Sequence, residues 1–406
     1  MAVSISATQT LQTLLLLQAP WAREGLPPLR GRGLAARARA CWAASAVLRH
    51  HPLTRPWVLF VILTGLSALT SGNPGWSLWI ARDTLRITVF YLILWYTRDA
   101  LHADRLWNGF LLALTTAAAY GVGQAVVCHV RPASLSREWL ITLCPHPGRI
   151  RGPFSIYMTF ADVLMLGALL FGAQLFNRPW REVRWMAPAV GLTLVACALT
   201  YARHAWLGLA AGIVVLAVTA RRRARLVLVL LLVSGLGLVG APASVRSRLV
   251  SMGDPHDVTA RDRLAMWQSG LQMVRDHPWL GVGPGQVRAW YPAYRRPEAQ
   301  RPSTGHLHSS PVHLAAERGL PAVAVWGWVW VIVGREAVRT LRRLRATQAR
   351  ERALVGASLA GVTGFLVGGL FQHTFGDGAV VMVVYALIAL PWVVDRDLRG
   401  APQPAT

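Results

Sequence analysis

Long apolar runs recur along the chain and constrain its fold more than any other feature. Many reach about 17 residues or more, the length at which a helix can cross a hydrocarbon core roughly 30 Å thick. Of the 406 residues, 54% are hydrophobic and 15% are charged, whereas soluble domains carry about 25% charged residues. Because a backbone in lipid must satisfy its own hydrogen bonds, these runs favour helices. We therefore predict an all-α, polytopic integral membrane protein.

Ten segments have the length and composition of membrane spans, and two weaker candidates lie near the N-terminus. The ten are residues 56–71, 77–96, 106–128, 154–176, 185–202, 205–220, 226–245, 320–333, 353–371 and 379–394. The weaker segments, 11–19 and 41–48, are short or flanked by arginine, so they are interfacial helices or further spans. We expect ten to twelve transmembrane helices.

The spans divide the chain into five parts with one large polar segment between late helices. These parts are an N-terminal interfacial or weak transmembrane segment (1–55), the first part of the bundle (56–245), a catalytic loop domain (246–318), C-terminal transmembrane helices (319–395) and a tail (396–406). The short loops 177–184, 221–225 and 339–352 are arginine-rich and fall on one side, which the positive-inside rule makes cytoplasmic. The loop domain and the segment 129–153 then face outward.

The basic residues also bear on the partners of the chain. All 42 are arginine, which GC-rich codon usage can explain, and the formal net charge is +24. Guanidinium groups bind phosphate through two parallel hydrogen bonds, so the excess suits membrane lipid headgroups and phosphate-bearing substrates. Nucleic acid is not an expected partner, because the arginines punctuate membrane segments and form no soluble basic face.

The four cysteines match no metal-binding motif or disulfide framework. Cys128 and Cys144 lie at the end of one predicted span and in the loop after it. If that loop faces an oxidising compartment they can form a disulfide; otherwise they are two unrelated thiols.

Two histidines of the loop domain, His306 and His308, are the candidate catalytic residues. They precede a helix predicted at 311–318, next to apolar spans. A histidine near its ordinary pKa of about 6.5 can accept a proton from a hydroxyl group. A structural or interfacial role is the alternative. A metal site would need His313 as a third ligand, but no acid or cysteine has zinc-motif spacing with these residues. We favour a general base and expect no metal and no cofactor.

Three arginines, Arg149, Arg203 and Arg263, are predicted to lie at the same membrane face as His308. Converging arginines can bind a diphosphate and stabilise the negative charge on it as it leaves, without a metal ion. Alternatively, arginines simply mark membrane boundaries.

Three further charged residues stand out because they interrupt or join apolar segments. Asp83 and Arg86 are three residues apart, so they can pair on one helix face within the span 77–96. Asp377 lies in the turn between the last two spans. It can orient a histidine or arginine, or cap the last helix.

Six motifs, in order between the predicted spans, resemble those of the O-antigen ligase and polymerase superfamily. The first is Arg-His-Ala-Trp-Leu-Gly from Arg203, and the second is Arg263 four residues before Trp267. The third is His-Pro-Trp-Leu-Gly-Val-Gly from His277, and the fourth is His-Leu-His-Ser from His306. The last two are Glu-Arg-Gly-Leu-Pro from Glu317, and Gly-Leu-Phe from Gly369 followed by Phe-Gly-Asp. The resemblance covers roughly residues 149–394. Ser309 departs from the usual Asn, and Gln372 stands where an acid is common.

This resemblance implies a metal-independent membrane glycosyltransferase of the inner membrane. It would move a glycan from undecaprenyl diphosphate to an acceptor hydroxyl, on a lipid A-core sugar or similar glycolipid, at the periplasmic face. His308 would be the general base with His306 as its neighbour, Arg203 and Arg263 would hold the diphosphate, and Glu317 is a candidate orienting residue. A polymerase, whose acceptor is another lipid-linked glycan, is the alternative in the family. A solute or anion transporter and an inactive scaffold are alternatives of other classes.

Overall fold

The described part of the chain is all-helical, as predicted. The computed structural model describes residues 50–130, 144, 149–220 and 258–400, and these contain α-helices and short 3₁₀ helices but no strand. The predicted span 226–245, the weak segments 11–19 and 41–48 and the start of the loop domain lie outside the described residues.

Thirteen α-helices lie in these described ranges. They are α1 (Thr54–Leu69), α2 (Pro74–Ala81), α3 (Thr88–Tyr96), α4 (Ala100–Val130), α5 (Tyr157–Asn177), α6 (Trp180–Val183), α7 (Met186–Leu199), α8 (Arg203–Thr219), α9 (Val258–Asp276), α10 (Val287–Tyr294), α11 (Ser310–Arg343), α12 (Ala349–Phe371) and α13 (Gly378–Leu398). By length and composition, α4, α5, α11, α12 and α13 can each cross a membrane, and α1, α7 and α8 are shorter apolar helices. The protein is therefore a polytopic helical membrane protein.

The predicted span 77–96 is not one helix. A 3₁₀ helix, Arg82–Ile87, separates α2 from α3. The predicted ion pair forms inside it, with Arg86 Nη2 2.9 Å from Asp83 Oδ1. The Trp57 indole donates a hydrogen bond of 3.2 Å to the Thr84 carbonyl. These polar contacts stabilise a tighter turn in the middle of an apolar segment, which hydropathy alone does not reveal.

The centre of the bundle is α5, which is largely apolar and is buried around its whole circumference from Thr159 to Asn177. A helix without a polar face belongs inside a bundle. Beside it, α8 and α12 approach closely through glycines: a Cβ atom added at Gly208 would lie 2.5 Å from the Gly364 carbonyl oxygen. Small residues four apart allow such contact between membrane helices. This contact brings the start of α8 next to the end of α12, where part of the site lies.

Helix α11 is broken at Gly319, whose backbone has φ 78° and ψ 169°. Pro321 has no N–H group, so the Glu317 carbonyl loses its partner in the helix. The loop after α9 replaces the missing bonds, since Gly283 N–H donates to the Glu317 carbonyl at 2.9 Å and Leu320 N–H donates to the Pro278 carbonyl at 2.8 Å. The His277 and Glu317 motifs are therefore structural partners, which the sequence did not show.

A disulfide joins Cys128, near the end of α4, to Cys144. Of the two possibilities that the sequence left open, the structure shows the pair. The bridge fixes one end of the segment that leads to Arg149. Cys197, in α7, is buried and free.

Candidate functional site

A cavity of about 490 Å³ lies where the loop domain meets the helix bundle. Arg149, Arg203, Arg263 and His308, which the sequence analysis singled out separately, all line it. They come from the segment before α5, the start of α8, helix α9 and the loop before α11. The site is thus assembled from parts of the chain that are far apart in sequence.

The three arginines are held by different contacts. Arg263 donates a hydrogen bond of 3.1 Å to the Phe371 carbonyl at the end of α12. The Arg149 guanidinium lies 4.7 Å from the centroid of the Tyr157 ring, a distance at which a cation is attracted to an aromatic face. Arg203 is the first residue of α8, so the break between α7 and α8 sets its position at the cavity.

A fourth arginine, Arg301, also lines the cavity and was not predicted from the sequence. It lies in an exposed loop outside the motifs, so no local signal identified it. Its Nε atom is 3.6 Å from Asp262 Oδ2. Asp262 belongs to α9 and precedes Arg263, so a carboxylate stands among the four guanidinium groups.

His308 is buried, with 4% of its surface exposed, and has a positive φ of 49°. Its Nδ1 atom is 2.6 Å from Gln372 Oε1. The Ser310 hydroxyl donates to the Gln372 carbonyl at 3.2 Å, which holds the glutamine in place. Because an amide oxygen only accepts hydrogen bonds, Nδ1 carries the proton and Nε2 keeps its lone pair.

The sequence suggested a histidine near its ordinary pKa of about 6.5, but the pKa of His308 lies far below that value. Burial, followed by the neighbouring His306, lowers it to about 3; Gln372 opposes the shift, and Arg263 and Arg301 add to it. Burial likewise lowers the pKa of His306 to about 4. Both imidazoles are therefore neutral around pH 7, and His308 can accept a proton, although its basicity in the empty site is low.

His306 and His373, both half-buried, and the buried His313 form a cluster next to His308. The His306 and His308 rings are 4.3 Å apart, edge to face, and the His313 and His373 rings are 3.9 Å apart. Burial, followed by His313, lowers the pKa of His373 well below its ordinary value. No group of three or more histidine, cysteine, aspartate or glutamate side chains in the described ranges has the arrangement of a metal site.

Glu317 and Asp377, the two possible orienting residues, contact neither His308 nor a cavity arginine through any bond described. Glu317 is paired with His313 at 3.2 Å and with Arg318 at 2.9 Å, and accepts the Gly285 N–H at 2.7 Å. Glu317 therefore orients His313 and the loop after α9. Asp377 caps α13, accepting from Ala379 and Val380 N–H, and accepts from the Thr159 hydroxyl. The cap is the alternative that the sequence left open.

A second histidine, His204, lies in the cavity wall; it belongs to the motif that begins at Arg203, but the sequence predicted no role for it. Its Nε2 atom lies 3.1 Å from Asp162 Oδ1, and both side chains are buried. Asp162 is on α5 and His204 follows Arg203 on α8, so the pair ties the start of α8 to the central helix. This contact was not predictable, because the two residues are far apart in sequence.

Residues 188–327 match the family model described as O-antigen ligase, which confirms the resemblance recognised from the motifs. The matched region contains Arg203, Arg263, Arg301 and His308, whereas Arg149 and Gln372 lie outside it. No curated protein matches the chain at a significant level.

Proposed function

We propose that the protein is a membrane glycosyltransferase that uses a polyprenyl-diphosphate glycan donor, because residues 188–327 match the O-antigen ligase family model. The observation that carries the proposal is the convergence of four arginines and the neutral His308 on a single cavity. Undecaprenyl diphosphate is the carrier that the family resemblance implies.

The arginines supply the anion site. Arg149, Arg203 and Arg263 bind the diphosphate and stabilise the charge that builds on it as the bond to the sugar breaks. Arginine suits this role because its fork of donors matches phosphate oxygens and it stays charged at every physiological pH. A cavity of about 490 Å³ is in the range of small-molecule sites and accommodates a diphosphate with part of a sugar.

His308 supplies the base. Its Nε2 lone pair takes the proton of the acceptor hydroxyl while that oxygen attacks the anomeric carbon. The bond from this carbon to the phosphate oxygen breaks, and the diphosphate leaves with the electron pair, so the anomeric configuration inverts. The proton on His308 is then released to water or to the departing diphosphate. His306, edge to face with His308, restricts the orientation of the base. This mechanism requires no metal ion.

Donor binding makes this base stronger. In the empty site, Arg263 and Arg301 help to keep the pKa of His308 low. A bound diphosphate offsets their positive field, so the imidazolium becomes less unfavourable when the donor is present. The base thus gains strength when its substrate is bound.

The disulfide supports the orientation deduced from the basic loops. Disulfides persist in oxidising compartments such as the periplasm and are rare in the cytosol. Cys144 precedes Arg149, which lines the cavity. We therefore infer that the cavity opens on the periplasmic face of the inner membrane.

Transfer to a lipid A-core sugar or similar glycolipid is our first choice of reaction, because the His-x-His pattern resembles the ligase branch. Polymerisation, in which another lipid-linked glycan is the acceptor, uses the same chemistry and is the alternative. Transport of a solute or anion is disfavoured, since the arginines and His308 gather around one cavity at the end of the bundle.

Substitution of the base tests the proposal. His308→Ala removes the proton acceptor, and we expect transfer from a polyprenyl-diphosphate donor in proteoliposomes to fall by about 10²-fold or more, the contribution typical of general bases. His50→Ala, at an exposed position outside the cavity, is the matched control and should keep full activity. Undiminished transfer by His308→Ala would show that the assigned base is wrong.

A further inference from the structure

Arg301 differs from the other three arginines of the cavity in its exposure and its partner. Its side chain is 55% exposed, and it lies in the loop between α10 and α11. Its neighbour Gln300 donates its backbone N–H to Asp262 Oδ1 at 2.9 Å. The loop is therefore anchored to α9 through the backbone, while the Arg301 side chain remains near solvent.

The contact between Arg301 and Asp262 is weak. The distance of 3.6 Å between Nε and Oδ2 is longer than a hydrogen bond, and the arginine is half exposed. The contact involves Nε, and within the part of the chain that the structure describes the two terminal nitrogens of Arg301 make no hydrogen bond. They can therefore bind a second anion, which a bidentate pair with Asp262 would prevent.

Asp262 carries a charge that its bond to the Gln300 N–H does not require, since a neutral asparagine oxygen could accept the same bond. It is buried and lines a cavity whose other charged groups suit an anion. A carboxylate there repels phosphate, so its presence weakens the site unless it does something else. Asp262 has such a role if it neutralises Arg301 before the donor binds. Because the contact is weak, a diphosphate can take the place of Asp262 as the partner of Arg301.

We propose that Arg301 is a fourth diphosphate-binding residue, which Asp262 holds in the empty site and which moves to the donor diphosphate when that binds. This inference rests on the proposed function, since it assumes that the cavity binds a diphosphate. It adds a residue that engages the leaving group only in the occupied site, at the solvent side of the cavity.

Calorimetric titration of the full-length protein in detergent with inorganic pyrophosphate tests the proposal without requiring catalysis. Arg301→Ala should raise the Kd by about tenfold or more, the effect of losing a charge-assisted hydrogen bond, and Arg301→Lys should fall between this variant and wild type. Asp262→Asn keeps an oxygen for Gln300 N–H but releases Arg301, so it should lower the Kd.

The double variant with Asp262→Asn and Arg301→Ala distinguishes two effects of Asp262. One is to hold Arg301 until the diphosphate binds, and the other is simply to repel phosphate. If Asp262 acts by holding Arg301, Asp262→Asn should lower the Kd less once Arg301 is alanine, because only the direct repulsion of phosphate is then relieved, so the two effects are not additive. Equal effects of Asp262→Asn in both backgrounds would overturn the proposal, as would an unchanged Kd in Arg301→Ala. Arg296→Ala, an exposed arginine in the same loop, is the matched control.

The same titration distinguishes failure of this inference from failure of the proposed function. No binding of pyrophosphate to the wild-type protein would reject the diphosphate site and Arg301 with it. Wild-type binding that Arg203→Ala weakens and Arg301→Ala leaves intact would reject Arg301 alone.

Discussion

At the scale of single residues, Gln372 fixes the tautomer and the orientation of His308, the proposed base. The partner of His308 Nδ1 is an amide oxygen at 2.6 Å, whereas a carboxylate at this position would stabilise the imidazolium. A neutral partner fixes the tautomer and the orientation of the ring but adds no charge. Because burial lowers the pKa of His308 to about 3, its imidazole is unprotonated far below neutral pH.

This assignment predicts the pH dependence of the reaction. For a base that must be unprotonated, kcat/KM falls as the pH drops through the pKa of the free enzyme. The lowered pKa of His308 should therefore keep kcat/KM flat from neutral pH down to about pH 5. In Gln372→Glu, a carboxylate raises the pKa of His308, and the acid limb should move toward neutral pH.

A pH–rate profile of wild type and Gln372→Glu in proteoliposomes measures this shift. Gln348→Glu, outside the cavity, makes the same chemical change and should leave the profile unchanged. An acid limb near pH 6.5 in the wild-type protein would contradict the assignment of a buried, weakly basic His308.

At the scale of elements, the broken helix α11 and the loop after α9 form one interlocked unit. Pro321 removes one helical hydrogen bond, and the loop supplies bonds to both sides of the break. Gly319 permits this approach, because a Cβ atom there would lie 2.1 Å from the Trp279 carbonyl oxygen. The unit carries Glu317 and its partner His313, whose ring lies 3.9 Å from that of His373.

Substitution of Gly319 should disrupt this unit. Alanine would meet the Trp279 carbonyl and would occupy a backbone region that is almost exclusive to glycine, at a cost of about 1–3 kcal/mol before the clash is counted. We expect Gly319→Ala to lower the thermal unfolding temperature in detergent and to reduce transfer. Gly327→Ala, in the same helix with open space around its Cβ position, should be nearly neutral. Equal stability of the two variants would argue against the interlock.

At the scale of the whole molecule, the cavity belongs neither to the bundle nor to the loop domain alone. Arg203 and Arg149 come from the bundle side, whereas Arg263, Arg301 and His308 come from residues 258–309. We therefore expect the loop domain by itself to be inactive, because it carries only part of the anion site.

Labelling of thiols tests the orientation of the molecule. In intact cells that express the Cys41→Ser variant, a membrane-impermeant maleimide should label the protein only after a reductant opens the disulfide between Cys128 and Cys144. Buried Cys197 should stay unlabelled and serves as the internal control. Labelling that requires permeabilised cells would place the disulfide, and with it the segment before Arg149, in the cytoplasm.

Sequence predicts the features that depend on local composition, and fails where distant segments meet. Apolar length predicted the five helices long enough to span a membrane, and motifs singled out Arg203, Arg263 and His308, but hydropathy missed the 3₁₀ turn at Arg82–Ile87. Gln372 as the partner of His308 could not be predicted, because the two residues are 64 positions apart. Likewise, Arg301 lines the cavity only because its loop packs on α9.

The break at Gly319 also links the geometry of the site to the thickness of the bilayer. The stretch of α11 after the break, residues 320–343, is about 36 Å long, slightly more than a hydrocarbon core of about 30 Å. A helix longer than the core around it tilts to fit. Because the Leu320 N–H is bonded to the Pro278 carbonyl, that tilt is transmitted to the loop domain. The lipid composition of the membrane thereby bears on the geometry around His308.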